Sequence, residues 1–195
     1  MNNTADYYDY NCDDFFERTV NVDMSGIYNI FEAYISPGDS ILDLGCGVGR
    51  DSKYFVDKGY SVIAIDPSEK MCNIARTYAG VNVVQQRAEE LSLGNMFDAI
   101  WACASLLHVS KNDMKNTLMR VLRVLKVDGV MYASWKHGNT ERFEDGRFFN
   151  DYTPNLIVDQ FKQIPGIDII KVWITKGVQD SDTIWTNIII RKTTK

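Results

Sequence analysis

Short apolar runs alternate with amphipathic stretches along the sequence from residue 38 onward. This alternation is typical of a largely parallel β-sheet covered by helices on both faces, because each crossover between parallel strands needs room for a helix. We therefore predict an α/β fold whose seven strands are Ser40–Leu44, Ser61–Ile65, Val81–Gln85, Phe97–Cys103, Gly129–Trp135, Ile167–Ile174 and Thr183–Ile190. The helices predicted between them are Arg50–Lys58, Ser68–Tyr78, Ser110–Leu125 and Pro154–Ile164.

The two ends of the sequence depart from this alternation. Only the short segment Lys176–Asp182 joins the last two strands, which leaves no room for a helix and predicts an antiparallel hairpin. At the other end, the apolar residues of Ala5–Arg18 and Asp23–Tyr34 predict two helices ahead of the first strand. We expect residues 1–37 to form an N-terminal helical cap on one domain of residues 38–195, because no linker composition separates the two.

The charge of the chain favours a small-molecule partner. The 195 residues include 26 acidic and 21 basic side chains, which gives a formal net charge of −5 at pH 7. Phosphate backbones and anionic membrane surfaces repel such a chain, so we expect neither a nucleic acid nor a membrane partner. Met1–Glu17 carries five acids and no base, unlike a targeting peptide, and no apolar run reaches the ~18–20 residues that span a bilayer. The oligomeric state stays open.

The spacing of cysteine and histidine predicts neither a disulfide scaffold nor a metal site. The sequence has four cysteines, none in a Cys-x-x-Cys pair, at Cys12, Cys46, Cys72 and Cys103. The only histidines are His108 and His137, which excludes a site with three histidine ligands. We therefore expect a reducing, cytoplasmic setting and no bound metal.

The most informative segment is the first predicted strand, which runs directly into a turn with glycines at alternate positions. Gly45, Gly47 and Gly49 let the backbone bend sharply at the carboxyl edge of the sheet and let a ligand approach the main-chain amides. The following helix adds partial positive charge, so a carboxylate or phosphate would be favoured there. The alternative is a tight turn with no ligand.

Asp66 strengthens the ligand-binding interpretation. It ends the second predicted strand, 21 residues after Gly45, where a carboxylate can accept hydrogen bonds from ribose hydroxyls. In the dinucleotide fingerprint Gly-x-Gly-x-x-Gly the third glycine would stand at position 50, but this sequence has Arg50 there and a glycine one place earlier. A pyrophosphate cradle is therefore disfavoured.

Four segments together carry a family resemblance. Asp43–Gly49 resembles motif I of the Rossmann-type, class I S-adenosylmethionine-dependent methyltransferases. Further segments resemble that family's acidic second-strand motif, its fourth strand and its fifth strand with the preceding helix, in the order Asp66–Met71, Phe97–Val109 and Leu122–Val130. Within the family, Arg50 and the segment Gly146–Phe149 are most similar to small bacterial enzymes related to tellurite-resistance methyltransferases. The resemblance implies a single-domain, Rossmann-like sheet of order 3-2-1-4-5-7-6, with strand 7 antiparallel.

The resemblance also implies the cofactor and the residues that hold it. S-adenosylmethionine would lie across the carboxyl ends of strands 1 to 4, with the amides near Gly45 and Gly47 facing its methionine part. Asp43 would order the turn and the amino group, and Asp66 would bind the ribose. The remaining cofactor contacts that we predict are Cys46, Pro67, Met71, Ala88, Glu89, Cys103 and Ala104 in the sheet domain, with Tyr8 and Arg18 from the cap. Arg87 stands where many relatives have an acid, so the contact to adenine would fall to Glu89 or to the backbone.

Methyl transfer by in-line displacement requires alignment of an acceptor with the methyl carbon, and a base is optional. His108, in the turn after the fourth strand, is the candidate base, although it could equally cap the next helix. The predicted loop Lys136–Tyr152 would select the acceptor, through Arg147, Phe148 and Tyr152, with His137 at its start. Arg147 could bind an anionic acceptor or merely pair with a neighbouring acid.

Two other functions stay open at this point. The strand, the glycine turn and the acid also occur in NAD-dependent oxidoreductases, although the third glycine is out of register for them. A non-catalytic module that binds S-adenosylmethionine is the other alternative, because the sequence contains no compelling base.

Overall fold

The computed structural model describes residues 4–94 and 96–194. Its α-helices are α1 Thr4–Tyr10, α2 Cys12–Thr19, α3 Ser25–Glu32, α4 Arg50–Asp57, α5 Glu69–Ala79, α6 Lys111–Arg123 and α7 Pro154–Lys162. Its strands are β1 Ser40–Leu44, β2 Ser61–Asp66, β3 Asn82–Gln85, β4 Phe97–Ala102, β5 Leu125–Lys136, β6 Glu141–Glu144, β7 Arg147–Asn150, β8 Ile167–Lys176 and β9 Ile184–Lys192. Two short 3₁₀ turns, Ala88–Glu90 and Leu106–His108, follow β3 and β4.

Seven strands form one sheet in the order β3-β2-β1-β4-β5-β9-β8. Strands β1 to β5 pair in parallel, and β9 runs antiparallel to both β5 and β8. Counted within this sheet alone, the order is the predicted 3-2-1-4-5-7-6 with an antiparallel seventh strand. The labels differ only because β6 and β7 form a separate two-stranded hairpin that the sequence analysis did not predict.

That hairpin corrects the prediction of a loop over Lys136–Tyr152. Strands β6 and β7 pair from Glu144 with Arg147 outward, around the dipeptide Asp145-Gly146. Asp145 and Gly146 both have positive φ, 49° and 77°, which is the requirement of a type I′ hairpin turn. The Asp-Gly dipeptide that favours this turn was present in the sequence. The pairing of the hairpin fixes the direction of the side chains on β7.

The N-terminal region is also divided differently from the prediction. The single helix expected over Ala5–Arg18 is interrupted at Asn11, so α1 and α2 can turn against each other. Helix α3 packs on the sheet, where Tyr28 and Phe31 join Trp101 and Tyr132 in one buried cluster. Residues of the N-terminal region therefore contribute to the core of the sheet.

The opposite face of the sheet is covered by α6 and α7. Leu118 and Val121 of α6 and Phe161 of α7 are almost fully buried against it, in the same cluster as Ile100 and Met131. Ser110 caps the start of α6, since its hydroxyl accepts a hydrogen bond from the Asp113 amide at 3.1 Å. With helices on both faces, the carboxyl edge of the parallel strands remains as the place for a site.

Within the described part of the chain, the longest helix is α6 with 13 residues. A bilayer span needs about 20 apolar residues, and none of the described helices meets that requirement.

Candidate active site

A cavity of about 620 Å³ opens at the carboxyl edge of the sheet. Small-molecule sites typically measure about 300–1,000 Å³, so its size suits a ligand of cofactor size. Among the residues predicted from the sequence, those in its wall are Tyr8, Arg18, Gly45, Cys46, Gly47, Asp66, Pro67, Met71, Ala88, Glu89, Cys103, Ala104, His108 and Arg147. We call the part around Gly45, Gly47, Asp66 and Met71 the glycine end. The part around Tyr8, His108, Lys136, Arg147 and Phe149 is called the hairpin end.

The glycine turn is shaped by close packing. Gly45 has φ +77°, and a Cβ atom there would lie 2.3 Å from the Cβ of Ser105 in the turn after β4. Only glycine lets the ends of β1 and β4 approach this closely. Beside it, the Ser105 hydroxyl is buried and has no hydrogen-bond partner in the described structure.

The amides of this turn do not point at a ligand, which corrects the prediction for them. The N–H groups of Gly45 and Cys46 both donate to the Ile65 carbonyl, at 2.8 and 2.9 Å. The Gly47 N–H donates to the Asp66 carboxylate at 2.9 Å. Buried N–H groups need a partner, and here β2 supplies all three. The turn therefore exposes its glycine Cα surfaces, and Asp66 is the polar group beside them.

Asp66 is a buried carboxylate on the wall of the cavity. Its second oxygen accepts from the Ser68 amide at 2.9 Å. Burial raises the pKa of Asp66 to about 6, although the hydrogen bonds from Ser68 and Gly47 oppose that shift. A carboxylate has about four acceptor positions, so two further hydroxyl donors can still be accommodated.

Asp43 lies behind the turn and is not part of the cavity wall. It is 2% exposed and accepts a hydrogen bond from the Ser52 hydroxyl of α4 at 2.5 Å. Burial, reinforced by the charge of Asp51, raises its pKa. Asp43 thus ties the end of β1 to α4, which agrees with its predicted role in ordering the turn, while a contact to a ligand's amino group has no support from its position.

A second buried acid supports the same region. Asp51 receives bidentate hydrogen bonds from Arg50, at 2.6 and 2.9 Å, and one from the Trp101 indole at 2.8 Å. The Tyr28 hydroxyl donates to it at 2.5 Å. Burial opposes ionisation, but these donors together hold the pKa of Asp51 below its usual range. Sequence reasoning missed this network, since its members come from α3, α4 and β4.

The far side of the glycine end is largely apolar. Met71 is fully buried and packs with Cys12 and Val48 beneath the cavity. Ala88 and Glu89 stand in the wall on the turn after β3, and Glu89 lies 3.5 Å from the Arg87 guanidinium. This part of the wall could therefore contact a flat, apolar group of a ligand, with Glu89 as a polar residue at its edge.

The end of β4 adds a strained backbone position to the wall. Ala104 has φ +51°, which is unusual for a residue with a side chain. Its N–H donates to the Ser134 hydroxyl at 2.9 Å, which holds this conformation. Burial raises the pKa of the neighbouring Cys103 thiol to about 12, so this thiol stays protonated at neutral pH.

His108 is held from both sides at the hairpin end. Its Nδ1 lies 2.6 Å from the Phe148 carbonyl, which can only accept, so Nδ1 carries the proton. Its Nε2 therefore accepts the hydrogen bond from the Tyr8 hydroxyl at 3.0 Å. Burial lowers the pKa of His108 to about 4, and burial raises that of Tyr8 to about 12. Both groups are neutral at pH 7.

Arg147 reaches the cavity from the first residue of β7. Its guanidinium lies 4.4 Å from the centre of the Tyr7 ring and 5.0 Å from that of Phe149. Its nearest acid is Asp145, at 3.9 Å, and its buried Nε has no partner in the described structure. Lys136 places its ammonium group 4.1 Å from the centre of the Phe149 ring. Lys136 and Phe149 were not among the predicted site residues, and the Asp-Gly turn was the signal that could have found Phe149.

Three predicted acceptor-site residues lie outside the cavity wall. Tyr152 is 1% exposed and packs edge-to-face on Trp135. Phe148 contributes its carbonyl to His108 rather than its ring. His137 is exposed and bonds to the Thr186 hydroxyl at 3.0 Å. Their proposed contact with an acceptor therefore has no support from these positions.

Comparison with known sequences shows that the central part of the chain is similar to methyltransferases. Residues 41–129 match the family model described as a methyltransferase domain. The Bacillus subtilis protein YqeM, a methyltransferase by name, is 35% identical over 128 residues, which is 60% of this chain and 51% of that protein. The chain spans about half the length of the curated relatives it matches.

Comparison with solved structures extends the likeness to nearly the whole fold. A S-adenosylmethionine-dependent methyltransferase from Methanosarcina mazei superposes with a TM-score of 0.76 at 20% identity, covering 86% of this chain and 99% of that one. The 1,6-didemethyltoxoflavin-N1-methyltransferase of Burkholderia thailandensis gives 0.75 at 21% identity, covering 98% and 91%. That structure holds bound 1,6-didemethyltoxoflavin and S-adenosylhomocysteine. At these identities the likeness is one of fold.

Proposed function

We propose that this chain is a class I S-adenosylmethionine-dependent methyltransferase that methylates a small-molecule acceptor in the cavity described above, which its match to a methyltransferase domain over residues 41–129 supports. One observation carries the proposal: a single cavity joins the glycine end, with its buried carboxylate, to the hairpin end, with its aromatic and basic side chains. A cofactor at the first end would direct its reactive group toward an acceptor at the second.

The residues of the glycine end fit an adenosyl cofactor. Asp66 retains two acceptor positions for ribose hydroxyls after its bonds to Gly47 and Ser68. The missing side chain at Gly45 lets the turn pack closely against Ser105, whose buried hydroxyl has no partner in the described structure. A ligand that brings both hydroxyl groups and charged groups would satisfy these polar atoms, since buried polar atoms without partners are rare in native structures.

When bound, S-adenosylmethionine supplies a methyl group on a sulfonium centre. The chain's own contribution is to align the acceptor with that methyl group and to exclude water, and alignment can supply about 7–11 kcal/mol of a reaction barrier. The roof formed by Tyr8 and Phe15 over the cavity serves both purposes.

General-base catalysis by His108 has little support. A pKa of about 4 makes its Nε2 a weak base at neutral pH, and the Tyr8 hydroxyl already occupies this nitrogen. We assign His108 and Tyr8 to positioning instead: the imidazole fixes the Tyr8 hydroxyl proton, and the Tyr8 oxygen accepts a hydrogen bond from Arg147, so that the Tyr8 ring is held in place beside the acceptor. An acceptor that attacks without proton removal, such as a thiolate or a neutral amine, fits this arrangement.

A small-molecule acceptor is favoured over nucleic acid by the net charge of −5 and by a cavity that residues of α1 and α2 also line. The Burkholderia neighbour, which holds bound 1,6-didemethyltoxoflavin, supports the same class of acceptor. All four cysteines are free thiols, which suits the cytoplasmic setting that we propose.

Calorimetry with S-adenosylhomocysteine and with NAD tests the cofactor. We expect S-adenosylhomocysteine to bind and Asp66→Ala to weaken its binding at least tenfold, because each hydrogen bond to a charged group contributes about 1.5–3 kcal/mol. Asp57→Ala, which alters an exposed carboxylate on α4, is the control and should leave binding unchanged. Binding of NAD in place of S-adenosylhomocysteine would favour an oxidoreductase.

Turnover separates an enzyme from a binding module. S-adenosylmethionine is incubated with a panel of small thiols, amines and phenols, and the S-adenosylhomocysteine formed is measured. Product formation with any of these acceptors supports the proposal. Cofactor binding with no product from a broad panel would favour the non-catalytic module.

A further inference from the structure

The basic side chains at the hairpin end differ in how far the protein balances their charge. Arg147, Lys136 and Arg87 all act on His108 as positive charges. Arg87 has the Glu89 carboxylate at 3.5 Å, and Lys136 has the Glu144 carboxylate at 3.7 Å. The nearest acid to Arg147 is Asp145, whose carboxylate is 77% exposed and 3.9 Å away. An ion pair at that distance to an exposed carboxylate contributes little.

The other basic side chains of the hairpin differ from Arg147 in this respect. Arg142 forms a close ion pair with the buried carboxylate of Asp151 and a second one with Glu144, at 3.2 Å. Lys136 shares Glu144, with its nitrogen 3.7 Å from that carboxylate. Arg147 is therefore the cation of the hairpin whose charge the described residues balance least.

The shape of the Arg147 site specifies how a ligand would meet it. The rings of Tyr7 and Phe149 pack on the guanidinium and restrict its orientation. The side chain is 20% exposed, and its Nε–H, buried in the cavity wall, has no partner in the described structure. The guanidinium also hydrogen-bonds to the Tyr8 hydroxyl, but it has five N–H groups, so others remain for a ligand. A planar guanidinium that is held in place is the usual receptor for a carboxylate or phosphate oxygen pair.

We propose that the methyl acceptor carries an anionic group, a carboxylate or a phosphate, which Arg147 binds with the support of Lys136. This inference rests on the proposed methyl transfer, and it adds the substrate class. Lys136, at the end of β5, places its ammonium group 4.1 Å from the centre of the Phe149 ring, and the Arg147 guanidinium lies 5.0 Å from the same centre, so that an anion beside Phe149 would lie close to both cations. The anion would anchor the acceptor below Tyr8 and His108.

The test measures binding of small probes to the protein saturated with S-adenosylhomocysteine. Titration calorimetry compares benzoate, phenyl phosphate and the uncharged benzamide. We expect at least one of the two anions to bind tenfold more tightly than benzamide. The anion that binds more tightly indicates whether the acceptor carries a carboxylate or a phosphate. Arg147→Met should remove the preference for the anion. Lys53→Met, on the exposed face of α4, is the matched control and should retain it.

Each further outcome decides between the two proposals. Equal affinity for all three probes, no binding of any of them, or a preference for the anion that survives in Arg147→Met would overturn the anionic acceptor. A tenfold loss of S-adenosylhomocysteine affinity in Arg147→Met would also overturn it, because Arg147 would then serve the carboxylate of the cofactor. Failure of the unaltered protein to bind S-adenosylhomocysteine would instead overturn the proposed function.

Discussion

The two ends of the cavity are built in different ways. The glycine end consists of a backbone turn closed by main-chain hydrogen bonds to β2, with Asp66 as its polar side chain. The hairpin end consists of side chains that hold one another, through the Tyr8–His108 hydrogen bond and the stacking of Arg147 on Tyr7 and Phe149. A part of a cavity that is built from backbone changes little when side chains are substituted, which suits a ligand that many enzymes share. A part built from side chains changes with each substitution, which suits an acceptor specific to one enzyme.

The sequence distances follow the same division. Gly45 and Met71 bound a segment of 27 residues that contains the glycine end. At the hairpin end, Tyr8 and His108 are 100 residues apart, and His108 and Phe148 are 40 apart. The main-chain hydrogen bonds of the glycine end can therefore form by local folding of β1 and β2, although Gly45 also packs on Ser105 after β4. The hairpin end exists only when α1, the turn after β4 and the hairpin have assembled.

The largest effect is expected from adding one methyl group to the glycine turn. Gly45→Ala places a Cβ at φ +77° and 2.3 Å from Ser105, so we expect a loss of more than about 3 kcal/mol in the free energy of unfolding. The backbone conformation alone accounts for about 1–2 kcal/mol of this, and movement of the turn for the rest. Urea denaturation measures stability, and calorimetry should show at least a hundredfold loss of S-adenosylhomocysteine affinity.

Gly59→Ala isolates the backbone contribution to that result. Gly59 has φ +89°, but a Cβ there would meet no atom within 4 Å. We expect a loss of about 1–2 kcal/mol and unchanged affinity for S-adenosylhomocysteine. Equal losses of unfolding free energy in Gly45→Ala and Gly59→Ala would mean that close packing at Gly45 is unimportant. The glycine end would then not depend on its tightly packed turn, and its contrast with the hairpin end would be wrong.

The next effect concerns the buried imidazole at the hairpin end. The pKa of His108 is lowered to about 4 in the folded state from an ordinary 6.5, so between these values the unfolded chain binds a proton that the folded chain excludes. Stability therefore falls as the pH decreases from 6.5 to 4, by about 3 kcal/mol from this group. His108→Gln should lose correspondingly less stability than the unaltered protein over the same window.

Urea denaturation at pH 7, 6, 5 and 4 measures this difference. Other acidic and basic groups titrate in both proteins, so the difference between the two curves reports His108. Parallel curves would show that the imidazole is readily protonated in the folded state, and its hydrogen bond from Tyr8 would then be unimportant.

The smallest effect is the coupling between Tyr8 and His108. A double-mutant cycle with Tyr8→Phe and His108→Gln should give a coupling free energy of about 1 kcal/mol, since the two side chains share one partly buried hydrogen bond. Strictly additive losses of unfolding free energy would show that the hairpin end is held by other contacts.

Prediction from the sequence succeeded where the determining forces act along a short stretch of chain. Strand β1 has the predicted bounds, Ser40–Leu44, because its apolar run ends directly at the glycines of the turn. The order of the sheet and the antiparallel β9 were also predicted correctly, through the family resemblance and the short connection before β9. The Asp145-Gly146 hairpin was equally local, and it was missed only because its turn signal was not applied.

The tertiary structure determined which residues that are distant in sequence contact one another. It directed the amides of Gly45 and Gly47 to Ile65 and Asp66 instead of a ligand, because buried N–H groups take the nearest available acceptor. It also placed Tyr8 on His108, which made a candidate base into a neutral, hydrogen-bonded side chain. The sequence by itself determined the strands, their order and the glycine turn, since hydrophobic periodicity and backbone sterics are local. The charge balance and proton positions of the site depend on burial and on partners distant in sequence, and only the packed fold determines those.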